Sequence, residues 1–453
     1  MTLNIIEIII GSILKKSIDQ LNRYIELIKA KAFSQRGFFV YLAVACVTLL
    51  LFSHQGGFIS DMNCWADWAL AMQEKGISNI YSGNNAPNYF PLSLYIIYSV
   101  GRTILALGFD IKADLYMFKY LFFFFDILNI LVVYKILKFY KIDIFKTFLI
   151  LFNIAFLYNT LIWGQVDTIY TSALLISVYF FLTRRNVFGL LFCLLALNLK
   201  LQAIATIPII LVFFLRQYLN KKDIINAVFV LFFAQLLILL PFIYSDNLHE
   251  VKMMFDRLPN TFTNMALNAF NYWVLVFGYE GALQPDNRVL LWGLTAKTIG
   301  MLIFGFITAL LSSVILYVKV YRKAWKNEII FLLIAFINLA FFFFTTRMHE
   351  RYIHQAIVFA GIWALLSRKY LFYVLLSLAY VLDLNQVLGF WGFQKRMPSI
   401  NSQWNIAWVF ALALIVALIN IAQSVAAAIV HNKRAGKTID NLHVDILESS
   451  SVH

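Results

Sequence analysis

Charge is what this chain has least of. Only 13% of its 453 residues are Asp, Glu, Lys or Arg, against about a quarter in ordinary soluble domains, which excludes a water-soluble enzyme. Cysteine is nearly absent. Cys46, Cys64 and Cys193 form neither a metal-ligand spacing nor a disulfide framework. No Pro/Gly/Ser-rich linker and no internal repeat divides the chain, so fibrous and repeat architectures are excluded as well. Motifs of nucleotide and metalloprotease chemistry are missing: there is no GxGxxG, Walker loop, HExxH or D-x-D pair.

What fills the chain instead is apolar, 62% hydrophobic and 17% aromatic, with many runs near the ~20 residues that a bilayer-crossing helix needs. The expected fold class is an all-α polytopic membrane protein. Candidate spans fall at about 38–54, 115–138, 147–163, 168–183, 187–200, 201–216, 224–244, 289–318, 328–344, 352–367, 370–388 and 404–430. A further apolar stretch, 91–108, carries Arg102 at its middle, where a crossing helix would lose about 2.5–3.5 kcal/mol. With that stretch lying in the interface and the N-terminus inside, 24 of the 37 lysines and arginines fall on the cytoplasmic side. Twelve crossings with both termini cytoplasmic follow. The net charge of +14 then reads as topology, and no nucleic-acid partner is expected. Residues 1–36 read as a cytoplasmic amphipathic helix rather than a cleavable signal, 37–430 as one membrane-embedded domain, and 431–453 as a polar, loose cytoplasmic tail.

This topology gathers the polar, aromatic-rich segments on the outer face. In the loop 55–114, residues 62–75 form a short amphipathic helix with Trp65, Trp68, Ala69 and Met72 on one face and Asn63, Asp67 and Glu74 on the other. Asp61 at its start is either an N-cap or a general base for an incoming hydroxyl; Asp67 is a solvated residue or a weaker candidate for the same site. The turn TTRMHERY puts Arg347, His349, Glu350 and Arg351 within five residues, more charge than snorkelling needs and well suited to phosphate. Lys200, between Asn198 and Gln202, is a snorkelled helix-end lysine or a further point charge. In WGQVD, Trp163 is a belt residue, Asp167 an N-cap, or both join Gln165 in binding sugar hydroxyls or orienting a loop. The loop 245–288, with NAFNYW at 268–273, is a carbohydrate contact or a structural lid. The cytoplasmic loops are too short to house a nucleotide sugar, so an activated donor on the outer face must be lipid-linked.

Asp61 with Trp68 seven positions on, the step Gly76-x-x-x-Ile80-Tyr81, and Asn88-Tyr89-Phe90-Pro91-Leu92 together resemble the first luminal loop of GT-C glycosyltransferases. The likeness is to the dolichyl-phosphate-glucose-dependent glucosyltransferases and to bacterial relatives of the GPI mannosyltransferases. Met348-His349-Glu350-Arg351 resembles their late turn, and Trp163-Gly164-Gln165-x-Asp167 is similar to a motif of the bacterial relatives. Ser60 stands where those enzymes usually have Gly, and Phe90-Pro91 where they have Pro-Pro. The resemblance implies an inverting hexosyltransferase with Asp61 as base and Lys200, His349 and Arg351 near the donor phosphate, of which only His349 and Arg351 come from a matched motif; the charge cluster adds Arg347 to that phosphate site. Asp67, Tyr89, Trp163, Gln165, Asp167 and Glu350 are then expected around the substrates. The implied partners are a polyprenyl-phosphate sugar (glucose or mannose), a glycan, glycolipid or protein acceptor, and membrane lipid. No cofactor and no obligatory metal is expected, since only His349 and Glu350 are close-spaced ligands. The rival readings are a twelve-helix secondary transporter, a polysaccharide polymerase or ligase using lipid-linked substrates, and a lipid-binding scaffold.

Overall fold

A computed structural model describes residues 34–54, 57–83, 86–215, 221–257, 262–321, 323, 325–392 and 402–450, with backbone alone for 431–450. The amphipathic helix expected over 3–32 lies outside the described residues. The chain is helical almost throughout, with four short strands among the described residues.

The framework consists of α1 (Gln35–Phe52), α2 (Ile59–Lys75), α3 (Pro91–Ala106), α4 (Met117–Phe139), α5 (Asp167–Leu182) and α6 (Asn186–Leu199). It continues with α7 (Ile207–Phe214), α8 (Lys221–Tyr244), α9 (Leu248–Arg257), α10 (Tyr272–Ala282), α11 (Ala296–Ile315), α12 (Ile329–Phe344), α13 (His354–Ser367), α14 (Leu371–Leu388) and α15 (Gln403–Ser450). Between α4 and α5 the chain passes through short pieces, Phe148–Leu151 and Ile154–Leu157, and a π-helical turn, Tyr158–Trp163. At the centre, α12 and α13 are buried on nearly every side, and the turn joining them brings residues 345–353 out at one end of the bundle.

Among the described residues five helices are long and apolar enough to cross a membrane, and six if the bent pair Ile144–Leu151 and Ile154–Trp163 is one span. The chain thus has the make-up of a multi-pass membrane protein. Length by itself does not reproduce the twelve crossings read from charge. The other expected spans are shorter, of 10–17 residues, and α3 belongs to the same length class. A 16-residue helix such as α12 rises roughly 24 Å at 1.5 Å per residue, short of the ~30 Å of a bilayer's hydrocarbon core. At the C-terminus α15 continues to Ser450, where the sequence reads as a loose tail.

The loop 55–114 folds into α2 and α3, which pack against each other. Their approach is close: a Cβ on Gly101 would lie 2.6 Å from that of Ala69. Met62, Trp65, Ala66, Ala69 and Met72 form the buried stripe of α2; of the face expected from spacing, Trp65, Ala69 and Met72 belong to it, whereas Trp68 is only half-buried. Pro91 opens α3 at a first-turn position, where a missing N–H costs nothing.

Candidate functional site

The first-turn position of Asp61 corrects the capping alternative. α2 starts at Ile59, its N-cap is Phe58, and no side chain caps it. One turn in, the Asp61 carboxylate is gripped from elsewhere. Its Oδ2 accepts a hydrogen bond from Trp163 Nε1 at 2.9 Å and another from Gln165 Nε2, and lies 3.5 Å from Arg351 Nη1. Three sequence segments therefore meet on one oxygen. The backbone repeats the junction: Phe58 N–H donates to the Trp163 carbonyl at 2.9 Å, and Trp65 Nε1 to the Gly164 carbonyl at 3.2 Å.

Gly164 makes that approach possible. Its φ of +88° is left-handed, and a Cβ there would run into Met62 Sδ, so only glycine fits without strain. Lys119 in the first turn of α4 supports the same loop from below. Its fully buried ammonium donates to the Leu161 carbonyl at 2.9 Å and the Ile162 carbonyl at 3.4 Å, satisfying backbone acceptors that the π-turn leaves open.

Asp167 is likewise no cap, since Val166 holds that position of α5. Asp167 makes a buried ion pair with Lys200. Lys200 is 6% exposed, so it does not snorkel, and its ammonium also lies 4.7 Å from the Tyr352 ring centroid. Such a pair is strongly interdependent, because removing one member leaves a buried charge.

In the 345–352 turn the charges are divided. Arg347 turns to Asp286, with Nε at 2.6 Å and Nη2 at 2.9 Å, while the Thr346 hydroxyl donates to the same carboxylate at 2.8 Å. Arg351 Nη1 donates to Glu350 Oε1 at 3.0 Å. His349 Nδ1 stands 3.9 Å from the other Glu350 oxygen, and its ring packs edge-on against Phe262. Burial, then the Arg351 and Lys200 charges, push the His349 imidazole well below its ordinary 6.5 and hold it neutral. Burial raises the Glu350 carboxyl above 4.5 against the pull of Arg351. Burial also opposes the charge on Arg351, but Asp61 and Glu350 outweigh it and hold the guanidinium cationic. Two buried donor or acceptor atoms here, His349 Nε2 and Arg351 Nε, have no hydrogen-bond partner, an imbalance that a bound ligand would relieve.

Two cavities adjoin this cluster. The larger, about 880 Å3, has Asp61, Asp67, Trp68, Asn88, Arg257 and Arg351 in its wall. The smaller, about 370 Å3, is lined by Lys200 and Arg347 amid Phe90, Leu199, Leu201, Ile204, Met301 and Phe341. Asn88, Tyr89, Phe262 and Tyr352 border both. Asp67 shares the larger cavity but pairs with Lys112 at 2.5 Å, exposed at its rim.

The loop 262–288 acts as a brace. The strand β1 (Ala266–Leu267) pairs in parallel with β2 (Met348–His349), so the loop is stitched to the turn that carries the cations. The amides of NAFNYW serve structure. Asn271 caps α10 and donates to the Phe342 carbonyl at 3.1 Å, and Asn268 accepts from Tyr279 at 2.8 Å. Sequence reasoning passed over Asp286, whose QPDNR context looks like an ordinary turn, and Lys119. It also passed over Asp126, buried and bonded at 2.5 Å to Thr168, although an acid in the run FFFFDILN is itself a signal.

Among the described residues no group of three or more His, Cys, Asp or Glu is placed to hold a metal ion. No family model matches the chain, and no curated protein matches it.

Proposed function

We propose that this chain is an integral-membrane hexosyltransferase that moves a sugar from a polyprenyl phosphate to an acceptor hydroxyl on the exoplasmic face, like the GT-C enzymes its motifs resemble. The observation that carries the reading is the junction of two unlike cavities at Tyr89 and Tyr352. One is large, with Asp61 in its wall; the other is apolar, with Lys200 and Arg347. A donor with a prenyl tail, a phosphate and a sugar has the same sequence of chemistries.

In this reading the acceptor oxygen attacks the anomeric carbon while the bond from that carbon to the phosphate oxygen breaks. Asp61 takes the hydroxyl proton on Oδ1, the oxygen that Trp163, Gln165 and Arg351 leave unused. Polyprenyl phosphate leaves with its growing charge met by Arg351 and Lys200, and His349 offers a neutral hydrogen bond. Arg347, held by Asp286, shapes the apolar cavity more than it grips phosphate. One displacement inverts the anomeric centre. Twelve crossings with cytoplasmic termini put this end of the bundle outside.

The test is to incubate the purified protein in nanodiscs with a panel of polyprenyl-phosphate hexoses and read donor loss and product by mass spectrometry of the extracts. Transfer of inverted anomer that vanishes in Asp61→Asn supports the proposal; no transfer from any donor overturns it. A secondary transporter is the second reading, favoured by the buried acids Asp126 and Asp383 on α4 and α14. Asp126-dependent solute uptake into proteoliposomes would select it.

A further inference from the structure

At the end of the bundle remote from Asp61 lies a third cavity, of about 460 Å3, within the ~300–1,000 Å3 typical of ligand sites. Its distance from the site follows from connectivity. α5 leaves the Asp61 cluster at Asp167 and reaches this cavity at Arg184, and α12 leaves it at Asn327 and reaches the cluster at Thr345. Each helix has 16 residues, roughly 24 Å of rise.

Three cations from two separate loops and a helix end converge here, Arg184, Lys319 and Lys323, with Asn327 and aromatic rings as the remaining wall and no carboxylate among the lining residues. None of the three forms an ion pair among the described residues. Basic loops at a cytoplasmic end need no explanation beyond topology, but these three line one cavity, with Arg184 and Lys323 exposed at its edge and Lys319 half-buried in its wall. Lys319 is fixed in place: its ammonium donates to Asn327 Oδ1 at 2.5 Å and to the Trp325 carbonyl at 3.3 Å, and lies 4.4 Å from the Phe213 ring centroid. Trp325 is itself tied to α15, donating Nε1–H to the Ser424 carbonyl at 3.1 Å. The floor is thus built from the fold's own interior contacts.

We propose that this cavity binds a phosphate group, presented by an anionic glycerophospholipid of the surrounding leaflet. Convergent cations without acids suit phosphate oxygens, and basic pockets between helices at this membrane face hold acidic headgroups. Lys319 lies in the π-helical turn Leu316–Tyr321 that continues α11; Phe306 and Leu310 of α11 and Tyr317 of the turn are exposed, an apolar surface on which acyl chains can lie. The site is independent of the transferase reading.

Native mass spectrometry of the full chain in detergent, titrated with phosphatidylglycerol or phosphatidylcholine, tests this. The wild type should hold one phosphatidylglycerol about tenfold more tightly than phosphatidylcholine, and Arg184→Asn/Lys323→Asn should lose that preference. Both positions are exposed and left-handed (φ 61° and 53°), a backbone state that Asn tolerates, so folding is preserved. Lys141→Asn, also left-handed (φ 56°) and just beyond the same end of α4, is the matched control outside the cavity. A parallel thermal-shift series with inorganic phosphate separates the sources. Protection by phosphate that the double variant loses, without a phosphatidylglycerol preference, assigns the site to free phosphate. Loss of preference in Lys141→Asn equal to that in the double variant, or no response to either ligand, overturns the proposal.

Discussion

The indole Nε1 of Trp163 donates to Asp61 Oδ2 across 2.9 Å, joining residues 102 positions apart. Trp163→Phe keeps the ring and its contact with Phe58 but removes the donor. A hydrogen bond to a charged group is worth about 1.5–3 kcal/mol, so turnover should fall roughly ten- to hundredfold with little change in the donor KM. Initial rates over a donor series check this. A rise in KM alone would mean that the indole touches the donor instead of orienting the base.

Asp61→Asn isolates the charge. Because Asp61 caps nothing, and Asn keeps an oxygen for Trp163 and Gln165, the melting temperature should stay near wild type. Transfer should drop by about 10²–10⁴-fold, the usual worth of a positioned base. Retention of most of the transfer rate would move the base elsewhere, with Asp67 the next residue in the same cavity wall.

These two residues also show what a linear reading can and cannot reach. Trp163, Gln165 and Asp61 each stand out as polar or aromatic residues at the edge of apolar runs, and Arg351 as part of a charge cluster. That Trp163 and Gln165 hold Asp61 depends on the π-turn at Tyr158–Trp163 and on a glycine with no room for a Cβ, neither of which has a periodic signal. The capping assignment failed for a tertiary reason. Phe58 packs at a tilt against Trp163 with ring centroids 5.0 Å apart and gives its N–H to the Trp163 carbonyl, and that contact starts the helix ahead of the capping preference. The span count differs because apolar runs of similar length in the sequence fold as helices of only 10–17 residues, α12 and α13 among them, shorter than a bilayer's hydrocarbon core.

The Asp167–Lys200 pair separates stability from donor binding. Lys200→Met should cost about 3–5 kcal/mol, as expected when one partner of a buried pair is removed. Adding Asp167→Asn should recover most of that, because the orphaned charge is gone. Transfer should stay low in the double variant if Lys200 meets the donor phosphate. Recovery of both stability and transfer would make the pair purely structural; denaturant melts and initial rates together give the answer.

Arg351 touches both Asp61 and Glu350. Arg351→Lys keeps the charge but cannot span two carboxylates and a phosphate with one planar fork. Donor use should weaken in Arg351→Lys and nearly vanish in Arg351→Ala. Glu350→Gln should be milder, since it leaves the Asp61 contact in place. An apparent donor affinity unchanged in Arg351→Ala would remove the residue from the phosphate site.

His349 gives the pH signature. Its folded-state pKa lies below 6.5 because burial, Arg351 and Lys200 disfavour the imidazolium, whereas in the unfolded chain it titrates near 6.5. Above that value both states are neutral and the residue adds no pH dependence. As pH falls through 6.5 the unfolded chain binds a proton that the folded chain refuses, so stability is lost on acidification. His349→Gln removes this term while keeping a polar side chain. Its melting temperature should fall less than wild type between pH 7 and pH 5.5, and subtracting the two curves cancels the other titrating groups, Glu350 included. Parallel curves would mean that the imidazole binds protons equally in the folded and unfolded chain; a smaller fall in wild type than in the variant would mean that the fold favours the imidazolium, and the donor phosphate would then meet a third cation instead of a neutral hydrogen-bond donor.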